Sequence, residues 1–414
     1  MSLRYFKSTP RVRLHTILCI IRGRRRGPPD TRRYRILMLR NAFRPRRVAA
    51  GVAAALALSL SPNLAHSAPV GDAPRYLLVT GTGSSNISVL RVDDNGALTQ
   101  VPGAPFASDT GSLTLEITPD GRRVYTGHVV SGSIIGYGLG ADGSLHEIAG
   151  SRMDFGAPVI GVTITPDGSR LFATVGSLTT EVRSFDITAS GILVPTGAPA
   201  TPVPGMSGLS LPQVTPDGRN LIVSTFIGAT VTSYAINADA SLTQVGPTLA
   251  TGERPALPAI TPNGRYLYIS NEGSATLSGY VIAPDGSLSN APGSPYPTGD
   301  TPHGSAITSD GKRMYVPASS GGQVDGFRIG ADGALSPLPG SPYPAPGGTV
   351  PGRVVLSPDE DELWVIDSLT VNGTARVHTY RIAADGSVAS SGLPAVDTGV
   401  IFHDGPSAHL TPAR

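Results

Sequence analysis

The chain has 414 residues, with 51 glycines and 38 prolines; 40% of it is hydrophobic and only 15% charged. That composition excludes a helical bundle and general disorder, and it points to many short strands joined by tight turns. The formal net charge of +2 hides an asymmetry: 15 of the 32 basic residues lie at or before Arg47, where Asp30 is the only acid, so the remainder carries 17 basic against 29 acidic residues. A body of net charge −12, with Lys312 as its only lysine, excludes phosphate-backbone binding, and no nucleic-acid partner is expected.

Residues 1–37 show no periodic pattern and lie upstream of a second possible start at Met38. They are expected to be an extended, disordered N-terminus. Residues 38–47 (MLRNAFRPRR) form a basic n-region and residues 48–60 (VAAGVAAALALSL) an apolar run of 13. That run is too short to span a hydrocarbon core of ~30 Å comfortably. Ala65-His66-Ser67 before Ala68 is similar to a signal-peptidase site. The expectation is a signal peptide over 38–67, cleavage after Ser67, and a secreted or periplasmic protein without a membrane span. The Sec route is expected, with Arg46-Arg47 leaving a twin-arginine route open. The single cysteine, Cys19, falls in the leader, so the exported chain can hold no disulfide, cysteine nucleophile or cysteine metal site.

From residue 68 onward one unit repeats. Thr118-Pro119-Asp120-Gly121, Thr165-Pro166-Asp167-Gly168, Thr215-Pro216-Asp217-Gly218, Thr261-Pro262-Asn263-Gly264, Thr308-Ser309-Asp310-Gly311 and Ser357-Pro358-Asp359-Glu360 follow at intervals of 46 to 50. Proline presets φ, and Asp-Gly or Asn-Gly tolerates φ > 0, which is hairpin-turn chemistry. Seven residues after each leading Thr or Ser stands Tyr125, Phe172, Ile222, Tyr268, Tyr315 or Trp364, with Leu78 in the same place of a first unit. A third strand brings Leu90, Tyr137, Phe185, Tyr234, Tyr280, Phe327 and Tyr380 into register. A second turn such as Asp142-Gly143 or Asp285-Gly286 then leads to a Pro/Gly-rich fourth strand such as Pro292-Gly293-Ser294-Pro295-Tyr296.

Seven units of four short strands predict an all-β fold, a single seven-bladed β-propeller of antiparallel blades over residues 68–414. The first unit starts at Arg75 without an inner strand, and the chain ends in such a strand with no hairpin after it. Residues 407–411 are therefore expected to pair beside residues 75–80 and complete the first blade. A linear solenoid is the alternative, but it would need polar capping repeats.

The strong hydrolase and nucleotide motifs (G-x-S-x-G, H-E-x-x-H, a Walker lysine) are absent from the sequence. In an up-and-down blade the Thr-Pro-Asp-Gly turns share one face of the disc, and the loops between second and third strands share the other with the blade-to-blade crossings. That second face is where a ligand is expected. It receives His128, Glu181, Asn271, Glu272 and Asp367 from loops, and Arg152, Asp154, Glu253, Arg254, Asp300, His303, Arg353, His403 and Asp404 from or beside crossings. Glu116, Gln213, Arg353 and His409 are placed nearest the axis. One carboxylate per turn is no calcium shell, and no cofactor or metal is expected.

Units such as residues 261–299 (TPNGRYLYISNEGSATLSGYVIAPDGSLSNAPGSPYPTG) resemble the blades of the seven-bladed β-propeller lactonase family, of 6-phosphogluconolactonase type with YVTN-like repeats, and the resemblance covers residues 75–414. It implies hydrolysis of a sugar-type lactone. Arg353 would polarise the carbonyl, His303 or Glu272 would activate water, and Arg254, Glu116, Gln213 and His409 would contact the substrate. Glu272 stands where the family has a glutamate. Where the family carries a histidine pair this chain has Thr301-Pro302-His303-Gly304-Ser305, and where it carries Arg-His the chain has Ser407-Ala408-His409. Export argues against the phosphorylated, cytosolic lactone itself. The other function class is a non-catalytic exported propeller that binds a carbohydrate, a cell-wall component or a protein, and a monomer is expected in either case.

Overall fold

The computed structural model describes residues 74–93, 96–368, 373–401 and 407–413. The leader, with its expected signal peptide and cleavage site, lies outside the described residues. Every regular element among them is a strand, and the strands form seven antiparallel sheets, each a four-position blade.

Blade 5 shows how the repeat works. Its strands are Pro255–Ile260 (inner), Tyr266–Asn271, Thr276–Ile282 and an outer strand in two pieces, Leu288–Asn290 and Tyr296–Pro297, both paired with the third. The first turn is locked by side chains: Thr261 Oγ1 donates to Asn263 Oδ1 (2.7 Å) and accepts from Tyr266 N (3.0 Å), while Gly264 takes φ +71. The equivalent bonds from Thr118, Thr165, Thr215, Thr308 and Ser357 to the Asp two residues on run from 2.5 to 2.7 Å. The repeated tetrapeptide is thus fully occupied in closing hairpins.

The large residue on the second strand joins one blade to the next. Tyr125, Tyr268 and Tyr315 are fully buried, and their hydroxyls donate to Gly191, Gly333 and Gly386 O at 2.8 to 2.9 Å, the Gly of the second turn in the following blade. Apolar contact fills the space between sheets, and the hydroxyl sets their relative position. The Pro/Gly-rich segment differs from expectation: it interrupts the outer strand, which begins directly after the second turn. Proline cannot donate to the ladder, so the strand breaks there and resumes.

The ring closes as the repeat phase predicts. Ala408–Leu410 pairs with Leu77–Val79 of the strand Arg75–Gly81, with Leu78 opposite His409. Thr80 N donates to Ser407 O (2.8 Å) and Thr411 N to Tyr76 O (2.9 Å).

Candidate functional site

The inner strands carry side chains to the axis. Glu116, Gln213 and His409 occupy equivalent positions, opposite Tyr125, Ile222 and Leu78, whereas blades 5, 6 and 7 place Ala259, Ala306 and Val355 there. Arg353, two residues from Val355, reaches the same cavity, which Val162, Leu211, Leu257 and two prolines complete. The cavity offers about 30 Å³. That is room for one or two waters; a sugar ring does not fit. Glu116 and Arg353 sit deep in it while keeping some accessible surface. Burial pushes the Glu116 carboxyl up to about 8, against the pull of the Arg353 charge, and pushes Arg353 down to about 10, against the charge of Glu116. Near neutral pH the arginine is charged and the carboxyl largely protonated. Arg353 Nε is buried without a hydrogen-bond partner among the described residues.

Toward the crossing face four inner strands carry a β-bulge. The extra residues are Leu113, Ile160, Leu257 and Gly352 in blades 2, 3, 5 and 7. A bulge re-aims the side chain it inserts. Leu113, Ile160 and Leu257 meet with Leu211 and Ala256 in one buried apolar collar. Gly352 is demanded by space, since a Cβ there would stand 2.7 Å from Ser368 Cα.

Blade 5 and the crossing into blade 6 supply a carboxylate–imidazole pair. Asn271, fully buried, anchors the loop after the second strand by donating from Nδ2 to Thr276 and Ser278 (both 3.0 Å), and Glu272 follows it. The crossing turns at Thr301 (φ +58) and delivers His303, whose N donates to Pro317 O. His303 Nδ1 and Glu272 Oε1 then stand 2.6 Å apart, with both side chains mostly buried. Gly304 (φ +77) accepts from Ser270 Oγ through its carbonyl (3.2 Å), and a Cβ on it would lie 2.5 Å from Arg353 Nη1 and 2.8 Å from Leu257 Cδ1. The guanidinium therefore packs against the residue next to the histidine. Arg254, exposed at the rim, donates nothing into the pair, but its carbonyl accepts from Glu272 N (3.0 Å) and its stem lies against Gly273.

The sequence candidates thus divide. Glu272 and His303 meet, and Arg353 packs against Gly304 next to the histidine; Glu116, Gln213 and His409 join Arg353 in the small cavity; Arg254 flanks the loop of Glu272. His128, Arg152, Asp154, Glu181 and Asp367 have structural partners. His128 is fully buried between Ser108 and Ser133, its imidazolium form so disfavoured by burial that its pKa falls to about 4. Arg152 bridges Asp109 and Asp154, Glu181 holds Arg183, and Asp367 faces His378. His403 and Asp404 lie outside the described residues. Among the described residues no group of three or more His, Cys, Asp or Glu could hold a metal ion. Leu257, which joins collar to guanidinium, went unmarked in the sequence because an isolated leucine between Ala256 and Pro258 reads as ordinary strand core.

Residues 153–338 match the family model described as lactonase, 7-bladed beta-propeller. Among solved structures, the Pseudomonas aeruginosa periplasmic gluconolactonase PpgL superposes with TM-score 0.66 at 19% identity, over 82% of this chain and 100% of that one. A putative 6-phosphogluconolactonase from Bacteroides fragilis gives 0.67 at 18%, over 83% and 99%. Hydrazine synthase from Kuenenia stuttgartiensis gives 0.54 at 17%, over 78% and 99%. No curated protein sequence matches. Identities this low establish the fold alone, and the last neighbour's name shows that the ring by itself selects no reaction.

Proposed function

We propose that this chain, a lactonase-type seven-bladed β-propeller, is an exported hydrolase that opens lactone rings at the crossing face, acting as a monomer and without a cofactor. The observation that carries the reading is the Glu272–His303 contact of 2.6 Å beside Gly304, against which the Arg353 guanidinium packs. A carboxylate bonded to an imidazole orients the ring and supports the positive charge it gains, so the pair can take a proton from a water as that water attacks the lactone carbonyl. The carbonyl becomes an oxyanion, and a desolvated guanidinium is suited to stabilise that charge. Collapse of the tetrahedral intermediate breaks the ring C–O bond, the pair returns the proton to the leaving alkoxide, and a hydroxy acid departs. Arg254 at the rim is placed to meet the substrate's outer edge, and the axial water cavity lies beneath the reacting carbon.

The test is hydrolysis by the purified chain starting at Ala68, followed by acid release, with glucono-δ-lactone as first substrate because of the neighbours' names. His303→Ala and Arg353→Met should each lower kcat by roughly 10² to 10³. Turnover indifferent to both substitutions, in variants that remain folded, would overturn this site.

A further inference from the structure

A second cavity lies at the outer edge of the disc, between blades 2 and 3, and offers about 430 Å³. Its walls are mostly apolar. Met153 and Phe155 come from the outer strand of blade 2 and the crossing that follows it, and Phe185, Pro195, Ala198 and Ala200 from blade 3. Phe155 and Phe185 meet edge to face, with ring centroids 5.8 Å apart and planes at 75°. The Arg183 guanidinium stands over the Phe155 ring, 5.5 Å from its centroid.

Two features that close other seams are missing here. In blades 2, 5 and 7 the third strand carries Tyr137, Tyr280 or Tyr380, and each hydroxyl donates back to the outer edge of the preceding blade, at Ser108 Oγ (3.1 Å), Ala250 O (2.7 Å) and Pro344 O (3.4 Å). Blade 3 has Phe185 in that register and so lacks the donor. Two residues earlier, blades 2 and 5 bury Ile135 and Ser278, whereas blade 3 has Arg183, which stays exposed. The polar groups at the cavity are already engaged. Arg183 holds Glu181 (2.6 Å), Arg152 bridges Asp109 (2.8 Å) and Asp154 (3.0 Å), and Ser184 Oγ lies 2.7 Å from Thr196 Oγ1. Three carboxylates against two guanidiniums leave no surplus positive charge to attract an anion.

We infer that this cleft binds an uncharged aromatic molecule, with one ring against Phe155 and Phe185 beside the Arg183 guanidinium. A concave site of this size, mostly apolar with a few fixed polar groups, suits a small organic ligand. A ligand ring extends the edge-to-face pair and meets a guanidinium that Glu181 already holds in place, and both contacts add to the gain from covering apolar surface. A polyhydroxylated molecule would turn most of its hydroxyls toward methionine, proline, alanine and phenylalanine walls and lose their hydration. The inference is independent of the hydrolytic reading, because it uses none of Glu272, His303 and Arg353.

The experiment measures, by calorimetry on the purified chain at neutral pH, the binding of 2-naphthol and of decahydro-2-naphthol, which keeps the skeleton and the hydroxyl but has no π-system. 2-Naphthol should bind with a Kd on the order of 1 mM or below. It should bind roughly threefold to tenfold more tightly than the saturated alcohol, and 2-naphthoate should bind more weakly than 2-naphthol. Ala200→Trp, at an exposed position, should occupy the cleft and abolish binding while the melting temperature is kept. Phe155→Leu and Arg183→Met should each reduce the aromatic preference and leave binding of the saturated alcohol in place. No 2-naphthol binding, binding that Ala200→Trp leaves intact, or equal affinity for the two alcohols overturns the inference. Tighter binding of 2-naphthoate than of 2-naphthol overturns it for an uncharged ligand.

Discussion

Replacing Glu116 by glutamine tests whether the axial cavity is the strained electrostatic environment that its geometry implies. Burial raises the carboxyl from 4.5 to about 8 in the folded protein. A raised folded-state pKa means that the fold holds the proton more tightly than the unfolded chain does. The stability it contributes is complete below about pH 4.5 and is lost as pH climbs through about 8, where a carboxylate must be kept in the cavity. The interval corresponds to at most about 4 to 5 kcal/mol, an upper bound because Glu116 retains some accessible surface. Glutamine has the same shape and no charge, so Glu116→Gln should match the parent near pH 5 and exceed it by several kcal/mol near pH 9. Arg353 faces the same cavity and feels the Glu116 charge, so the comparison stops near pH 9, below the value of about 10 at which the arginine loses its proton. Urea unfolding midpoints across that range give the comparison. A parent-minus-variant difference constant within about 1 kcal/mol would refute the buried-carboxyl argument.

Deleting residues 407–414 removes the inner strand of blade 1 together with the Thr80–Ser407 and Tyr76–Thr411 bonds; calorimetry should show a lower melting temperature and loss of at least about 3 kcal/mol, at ~1 kcal/mol per bond plus exposed apolar surface. Gly304→Ala should push the Arg353 head from its place and, at φ +77, add about 1 to 2 kcal/mol of backbone strain, so lactone turnover should fall by roughly 10² or more while the chain stays folded. N-terminal sequencing of exported protein should read from Ala68; an intact leader on cytosolic protein would reject the export proposal and restore a phosphorylated lactone as a candidate.

The blade count, the hairpins and the closure were legible in the sequence because each is local or additive. Thr261, Asn263, Gly264 and Tyr266 settle a turn among themselves within six residues. Seven such units oblige a ring whose last strand fills the first blade, since no blade can bury both its faces alone. The topology also assigned Glu272, His303 and Arg353 to one face. How closely they approach is another matter. Glu272 and His303 are 31 residues apart and meet only because a loop of blade 5 and a crossing into blade 6 converge. The approach of Arg353 depends on a bulge at Gly352 and on Gly304, neither of which a strand pattern reveals. The same holds for the cavity: the sequence places Glu116, Gln213, Arg353 and His409 nearest the axis, but the packing of Val162, Leu211, Leu257 and the prolines between them leaves about 30 Å³. Periodicity fixes which way a side chain points, whereas the space it enters is what all seven inner strands leave over.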